Sequence, residues 1–155
     1  MAIFLQVRTG QLHLMLDALQ VHEVFGLDTL VDGAQGHVQW REQVLNGVDA
    51  GAFFCLPHAQ PVMGVVYTPD LGAQPLLLKV EEVLGLRDLG PADWSRLPVL
   101  PSRTREFFDA VWLEPALSRQ SFRLRHPIDL ETFKGVAPAG LGEELGHDRV
   151  DGVDQ

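Results

Sequence analysis

Apolar residues recur at every second position through much of this chain. Leu12, Leu14 and Leu16 alternate with His13, Met15 and Asp17, which is the period of a strand. Ile3 to Arg8 precedes them across Thr9-Gly10-Gln11, a turn, so the two segments predict a hairpin. Val62 to Tyr67 and Pro75 to Leu84 predict a second hairpin around the turn-rich stretch Pro69 to Gln74. Phe107 to Leu113 and Ser121 to Leu124 predict a third, around the loop Glu114 to Gln120. His37 to Val48 has strand character interrupted by Asn46-Gly47, a strong turn dipeptide. Ala52 to Leu56 is a compact apolar run of strand character that Pro57 ends.

Helical signals are few and short. Ala18, Val21 and Phe25 fall at i, i+3 and i+7 and predict about two helical turns stopped by Gly26. The branched and aromatic Val21, Val24 and Phe25 leave a strand open there. Pro91 to Trp94 predicts one turn of helix, and Asp129 to Lys134 a short closing helix. Long amphipathic helices do not alternate with the strands, which disfavours a parallel α/β sheet. Many short strands between turn signals predict barrels or a sandwich.

Size and composition narrow this further. A chain of 155 residues, 46% of them hydrophobic, suffices for one core or for two small lobes sharing one. No apolar run approaches the roughly 20 residues of a spanning helix. Gln6 and Arg8 interrupt the apolar start, which has no basic leader, so no signal peptide is expected. The single cysteine, Cys55, excludes an internal disulfide and suits a reducing cytoplasm. A net charge of −9 would repel a phosphate backbone, which argues against nucleic acid as a partner. That charge is uneven. Arg96, Arg103, Arg105, Arg119, Arg123 and Arg125 make half of the 12 Lys and Arg. The C-terminal end carries Glu143, Glu144, Asp148, Asp151 and Asp154 against Arg149. The expected division is therefore a folded domain over residues 1–137 and an acidic, disordered tail over 138–155.

The residues of common catalytic sites are not patterned here. Phosphate-cradling glycine loops and a G-x-S-x-G elbow are missing. His13, His22, His37, His58, His126 and His147 show no metal-ligand spacing. Cys55 lies between Phe54 and Leu56, the setting of an inert buried thiol. Glu81 and Glu82, adjacent on an expected strand, should point to opposite faces and form a solvated edge. No catalytic group, cofactor or metal is expected. Trp40, Trp94 and Trp112 suit either a core or an interface. Trp40 in particular stands open between the two, because it abuts the charged pair Arg41-Glu42.

Several local patterns resemble, in order, the CheW family of coupling proteins. Phe4-Leu5-Gln6-Val7, then Leu12 to Leu16, then Val21-His22-Glu23-Val24 look like that family's first hairpin and its V-x-E-V segment. Arg41 with Asp49 eight residues later resembles its R-G-x-x-x-P-x-x-D stretch. Val62 to Val66 and Leu76 to Leu84 resemble its central hairpin, Val111 to Leu124 its last one, and Ile128 to Phe133 its closing segment. The chain departs from the pattern with Glu42 for Gly, Asn46 for Pro and Leu78 for Asp. These departures set it apart as a divergent member.

The resemblance implies an all-β fold of two small five-stranded, SH3-like β-barrels packed side by side, with short helical segments. It implies a non-enzymatic, cytoplasmic adaptor that docks on a CheA-type histidine kinase and on chemoreceptor tips and is not itself a membrane protein. Arg41, on an expected exposed turn, is the first candidate for a charge-assisted contact. Trp40, Glu42, Val44 and Asp49 are the other candidate partner-binding residues; Val44, as a strand residue, suits the core equally well. Two other readings remain open: a different β-barrel module that binds a peptide or small ligand, and an enzyme with a site assembled only in three dimensions.

Overall fold

The computed structural model describes residues 2–29, 37–54, 56, 58–68, 74–99 and 107–124. Its strands are β1 (Ala2–Thr9), β2 (Leu12–Asp17), β3 (Val21–Gly26), β4 (His37–Trp40), β5 (Gln43–Asp49), β6 (Met63–Tyr67), β7 (Leu76–Val80), β8 (Glu82–Leu89), β9 (Trp94–Ser95), β10 (Phe108–Glu114) and β11 (Arg119–Leu124). Among the described residues one short α-helix, α1 (Ala50–Phe53), follows β5. Cys55, the stretch Asp32 to Gly36, the expected helix at Asp129 to Lys134 and the expected tail lie outside the described residues.

The three expected hairpins form. In the first, Thr9 pairs with Leu12, so the turn is the two residues Gly10-Gln11. Gly10 takes φ +58 there, a left-handed conformation in which a Cβ would be strained. β6 pairs with β7, and β10 with β11, both antiparallel.

Five expectations are corrected. Only Ala18–Gln20 is helical, as a 3-10 turn started by the Asp17 side chain accepting from the Leu19 amide. Val21 to Gly26 form a strand because β6 offers a ladder, from Val21 against Tyr67 to Gly26 against Met63. Asn46-Gly47 is not a turn: both lie inside β5, where Gly47 pairs in parallel with Leu77. Chain reversal falls instead at Arg41-Glu42, between the paired Trp40 and Gln43. The strand expected from Ala52 onward does not form: Ala52 and Phe53 lie in α1 and Phe54 caps it, because the Asp49 carboxylate accepts from the Ala52 amide (3.2 Å) and carries the chain into a helical turn. Finally, Pro75 to Leu84 is not one strand. It breaks at Glu81, so that β7 joins one sheet and β8 the other. At that break Glu81 and Glu82 both reach Arg8, at 3.3 and 2.9 Å, rather than forming a solvated edge on opposite faces.

One sheet has the order β8-β1-β2-β11-β10-β9, the other β3-β6-β7-β5-β4. The two-residue β9, paired with β10 through Trp94 and Trp112, brings the first lobe to six strands where five were expected. The edge strands of the five-stranded sheet, β3 and β4, meet through side chains: Trp40 Nε1 donates to Glu23 Oε1 at 2.9 Å.

Burial explains why two sheets make one body. Leu5, Val7, Leu12, Leu14, Leu16, Val111 and Phe122 of the first sheet pack with Val65, Tyr67, Leu76, Leu78 and Val80 of the second. Phe54, in the turn after α1, joins that same core. Each lobe also has its own smaller core. Trp40, Leu45, Val66 and Leu77 fill one, with Phe25 and Leu27 against them. Phe4, Met15 and Leu89 fill the other, flanked by Trp94 and Trp112. Consequently β2 is buried on both faces: its leucines face the shared core, and Met15 faces the lobe interior.

Candidate protein-docking site

The β4–β5 turn is a two-residue reversal, and its first residue is Arg41 at φ +53. A side chain in that left-handed region costs about 1–2 kcal/mol. The contacts made by Arg41 explain the position. Its guanidinium lies over the Trp40 ring, 4.5 Å from the centroid, and NH2 stands 3.5 Å from Glu23 Oε1. That oxygen also accepts from Trp40 Nε1. One carboxylate therefore fixes both an indole from β4 and a guanidinium from the turn. His22, next on β3, places its ring 6.1 Å from that of Trp40.

The candidate residues divide by where this geometry puts them. Trp40 is 8% exposed, so it is a core residue of the five-stranded lobe rather than an exposed anchor. The Arg41 side chain, by contrast, is 68% exposed, with its guanidinium available to a second carboxylate. Glu42 is exposed beside it. Val44 is 61% exposed on the outer face of β5, while its neighbour Leu45 turns into the lobe. Asp49 is not brought to the turn. It lies at the far end of β5, roughly 20 Å from Gln43 at the usual strand rise, and serves α1 as its cap.

Glu23 was legible as part of a motif but not as the partner of Arg41. The pairing depends on closure of the lobe, which joins strands that are not neighbours in the sheet.

A second exposed feature lies where the shared core ends. Leu86, across from Leu5 on the face that carries the inter-sheet core, is 62% exposed. Ile3, one pleat before Leu5, and Leu19, in the turn after Asp17, are exposed at the same end. No group of three or more His, Cys, Asp or Glu able to hold a metal occurs among the described residues. No helix among them is long and apolar enough to cross a membrane.

Two curled sheets back to back, with side chains filling both interiors and a charged turn outside, define a mainly β, two-lobed module. Comparison with known proteins names the class. The CheW-like domain family matches residues 4–115, and the chain belongs to that family. The fold is also similar to that of the scaffolding protein TtCheW from Thermoanaerobacter tengcongensis. The TM-score is 0.67 at 14% sequence identity, over 80% of this chain and 88% of that one. A search of curated proteins found no match.

Proposed function

We propose that this chain is a non-enzymatic signalling adaptor of a chemosensory pathway, acting in the cytoplasm to couple chemoreceptor tips to a CheA-type histidine kinase. Membership of the CheW-like family supports this reading, as does the fold shared with a protein described as a scaffold. The observation that carries it furthest is Arg41. A strained, exposed arginine is braced by Trp40 and Glu23, so its charge is already in place before a partner arrives. We assign Arg41 to a charge-assisted contact with an acidic group of the partner, with Glu42 and Val44 at its side and Trp40 as its support. The exposed Ile3, Leu19 and Leu86 supply apolar area for the same class of contact. Filled lobe interiors weigh against a ligand-binding barrel.

The test is a binding titration of the purified protein with the CheA-type kinase and the receptor cytoplasmic fragment of its own organism. Saturable binding to either, weakened by Arg41→Glu, is expected. No binding to either at high micromolar concentration would overturn the adaptor reading.

A further inference from the structure

A buried polar group inside the six-stranded lobe has no part in that docking. We propose that His13 makes the joint between the two hairpins of this lobe acid-labile, a proton on its imidazole loosening β2 from β11.

The joint is narrow. β11 meets β2 through three parallel pairs, Ser121 with His13, Phe122 with Leu14, and Arg123 with Met15. This ladder attaches the β10–β11 hairpin to the β1–β2 hairpin. His13 sits at its first rung, 9% exposed, on the strand face opposite Leu12 and Leu14. Its Nε2 is buried and has no hydrogen-bond partner among the described residues, whereas the ring is bonded to the Gln11 backbone.

The charges around it do not welcome a third cation. Arg8 faces His13 from β1 as its register partner. Arg119 bears on it from β11, and Glu114 from β10. Glu114 Oε1 is already occupied, accepting from Arg119 Nε at 3.1 Å, Arg119 NH2 at 2.8 Å and Gln6 Nε2 at 3.2 Å. Glu81, at the break between β7 and β8, and Glu82, the first residue of β8, are bonded to Arg8. Arg87, on β8, adds positive charge near Glu114. Protonation would therefore bury an N–H without an acceptor and set an imidazolium between two arginines whose carboxylates are engaged.

Burial first, then Arg119 and Arg8, lower the His13 pKa from 6.5 to about 4. A detached strand regains the ordinary value. Protons then bind the opened joint more tightly than the closed one, and closure weakens as pH falls from 6.5 towards 4. Between pH 7.5 and 5 the opening equilibrium rises roughly 30-fold by linkage.

Hydrogen exchange of the full-length protein at pH 7.5, 6 and 5, corrected for intrinsic rates, tests this alongside an NMR titration of the His13 ring. Expected is a ring neutral down to about pH 5. Peptides over residues 10–17 and 119–124 should lose protection about 30-fold, peptides over 63–67 and 76–80 should not, and His13→Gln should flatten the dependence. The proposal is overturned if His13 titrates near 6.5 with the joint intact, if both sheets lose protection alike, or if His13→Gln keeps the pH dependence. Should that variant not fold, the wild-type titration and exchange decide by themselves.

Discussion

The guanidinium of Arg41 lies over the ring of Trp40 at 4.5 Å, and both side chains reach the same oxygen of Glu23. The indole is buried and the guanidinium is not, so the pair spans the boundary between the core of one lobe and its surface. Apolar packing holds Trp40, and Trp40 in turn holds a charge at the surface. Nothing in the turn's own conformation favours an arginine on this glycine-like backbone, so its side-chain contacts are what offset the strain.

Arg41→Glu should weaken binding to the kinase or receptor at least tenfold while leaving the melting temperature nearly unchanged, since exposed ion pairs contribute only about 0–1 kcal/mol. Arg41→Gly separates the two roles more cleanly. It removes the same charge but relaxes the backbone, so thermal stability should hold or rise by about 1 kcal/mol as binding falls. Unchanged binding in both variants would remove Arg41 from the interface. A large loss of stability in both would make it structural.

Glu23→Ala should affect folding as well as binding. It leaves the Nε1 of a buried Trp40 without its acceptor, at a cost of about 1–3 kcal/mol. It also unbraces Arg41. Urea denaturation should show the destabilisation, and Glu23→Gln should recover much of it by keeping an acceptor for the indole.

Phe54 packs against Phe53, Phe107 and Phe108 at centroid distances of 4.9, 6.0 and 5.8 Å, within the core that both sheets share. Phe54→Ala should cost about 3–5 kcal/mol. The two sheets should still unfold in one cooperative transition by circular dichroism and fluorescence, because neither covers its face of the shared core alone.

Stability should also fall in acid through two carboxylates. The Gly10 amide bond above all, opposed by burial and aided by Arg8, holds Glu81 below its ordinary 4.5. For Glu114, burial opposes the charge, but bonds from Arg119 and Gln6 outweigh it and the pKa is lowered. Both carboxylates are charged more readily folded than unfolded. Their contribution is thus complete above the ordinary carboxylate value and is lost as pH falls through the lower, folded one. Urea midpoints measured from pH 7 to 3 should drop below pH 4.5, and Glu114→Gln should reduce that drop. The His13 effect lies higher, between 6.5 and about 4, so the two are separable along one titration.

Where structure is local, the residues declared it. Period-two leucines in Leu12 to Leu16 and the glycine turn before them fix a hairpin, because alternation and a left-handed turn are properties of a few adjacent residues. The same holds for β6 with β7 and β10 with β11, and for exposure of Arg41 on a turn. Local signals failed where a distant strand or cap competed with them. Asn46-Gly47 would turn in isolation, yet the ladder to β7 keeps it extended. Val21 to Phe25 have helical spacing, yet β6 offers more backbone bonds. Phe53-Phe54 read as strand, yet the Asp49 cap decides for a helix.

The candidate docking site follows the same division. Arg41 was identifiable as a surface candidate from the chain alone, since a turn sets its exposure, whereas Val44 suited core and surface equally until the pairing of β5 turned it outward and Leu45 inward. The Asp49 cap on α1 is local, made to the Ala52 amide three residues on, but its short range was masked by the apolar run that follows it. That Trp40 is core, that Glu23 braces Arg41 and that Arg119 joins Arg8 beside His13 were decided only by closure of the lobes. Each of these three depends on strands far apart in sequence whose meeting is set by burial of the shared core, and no window of neighbouring residues contains that information.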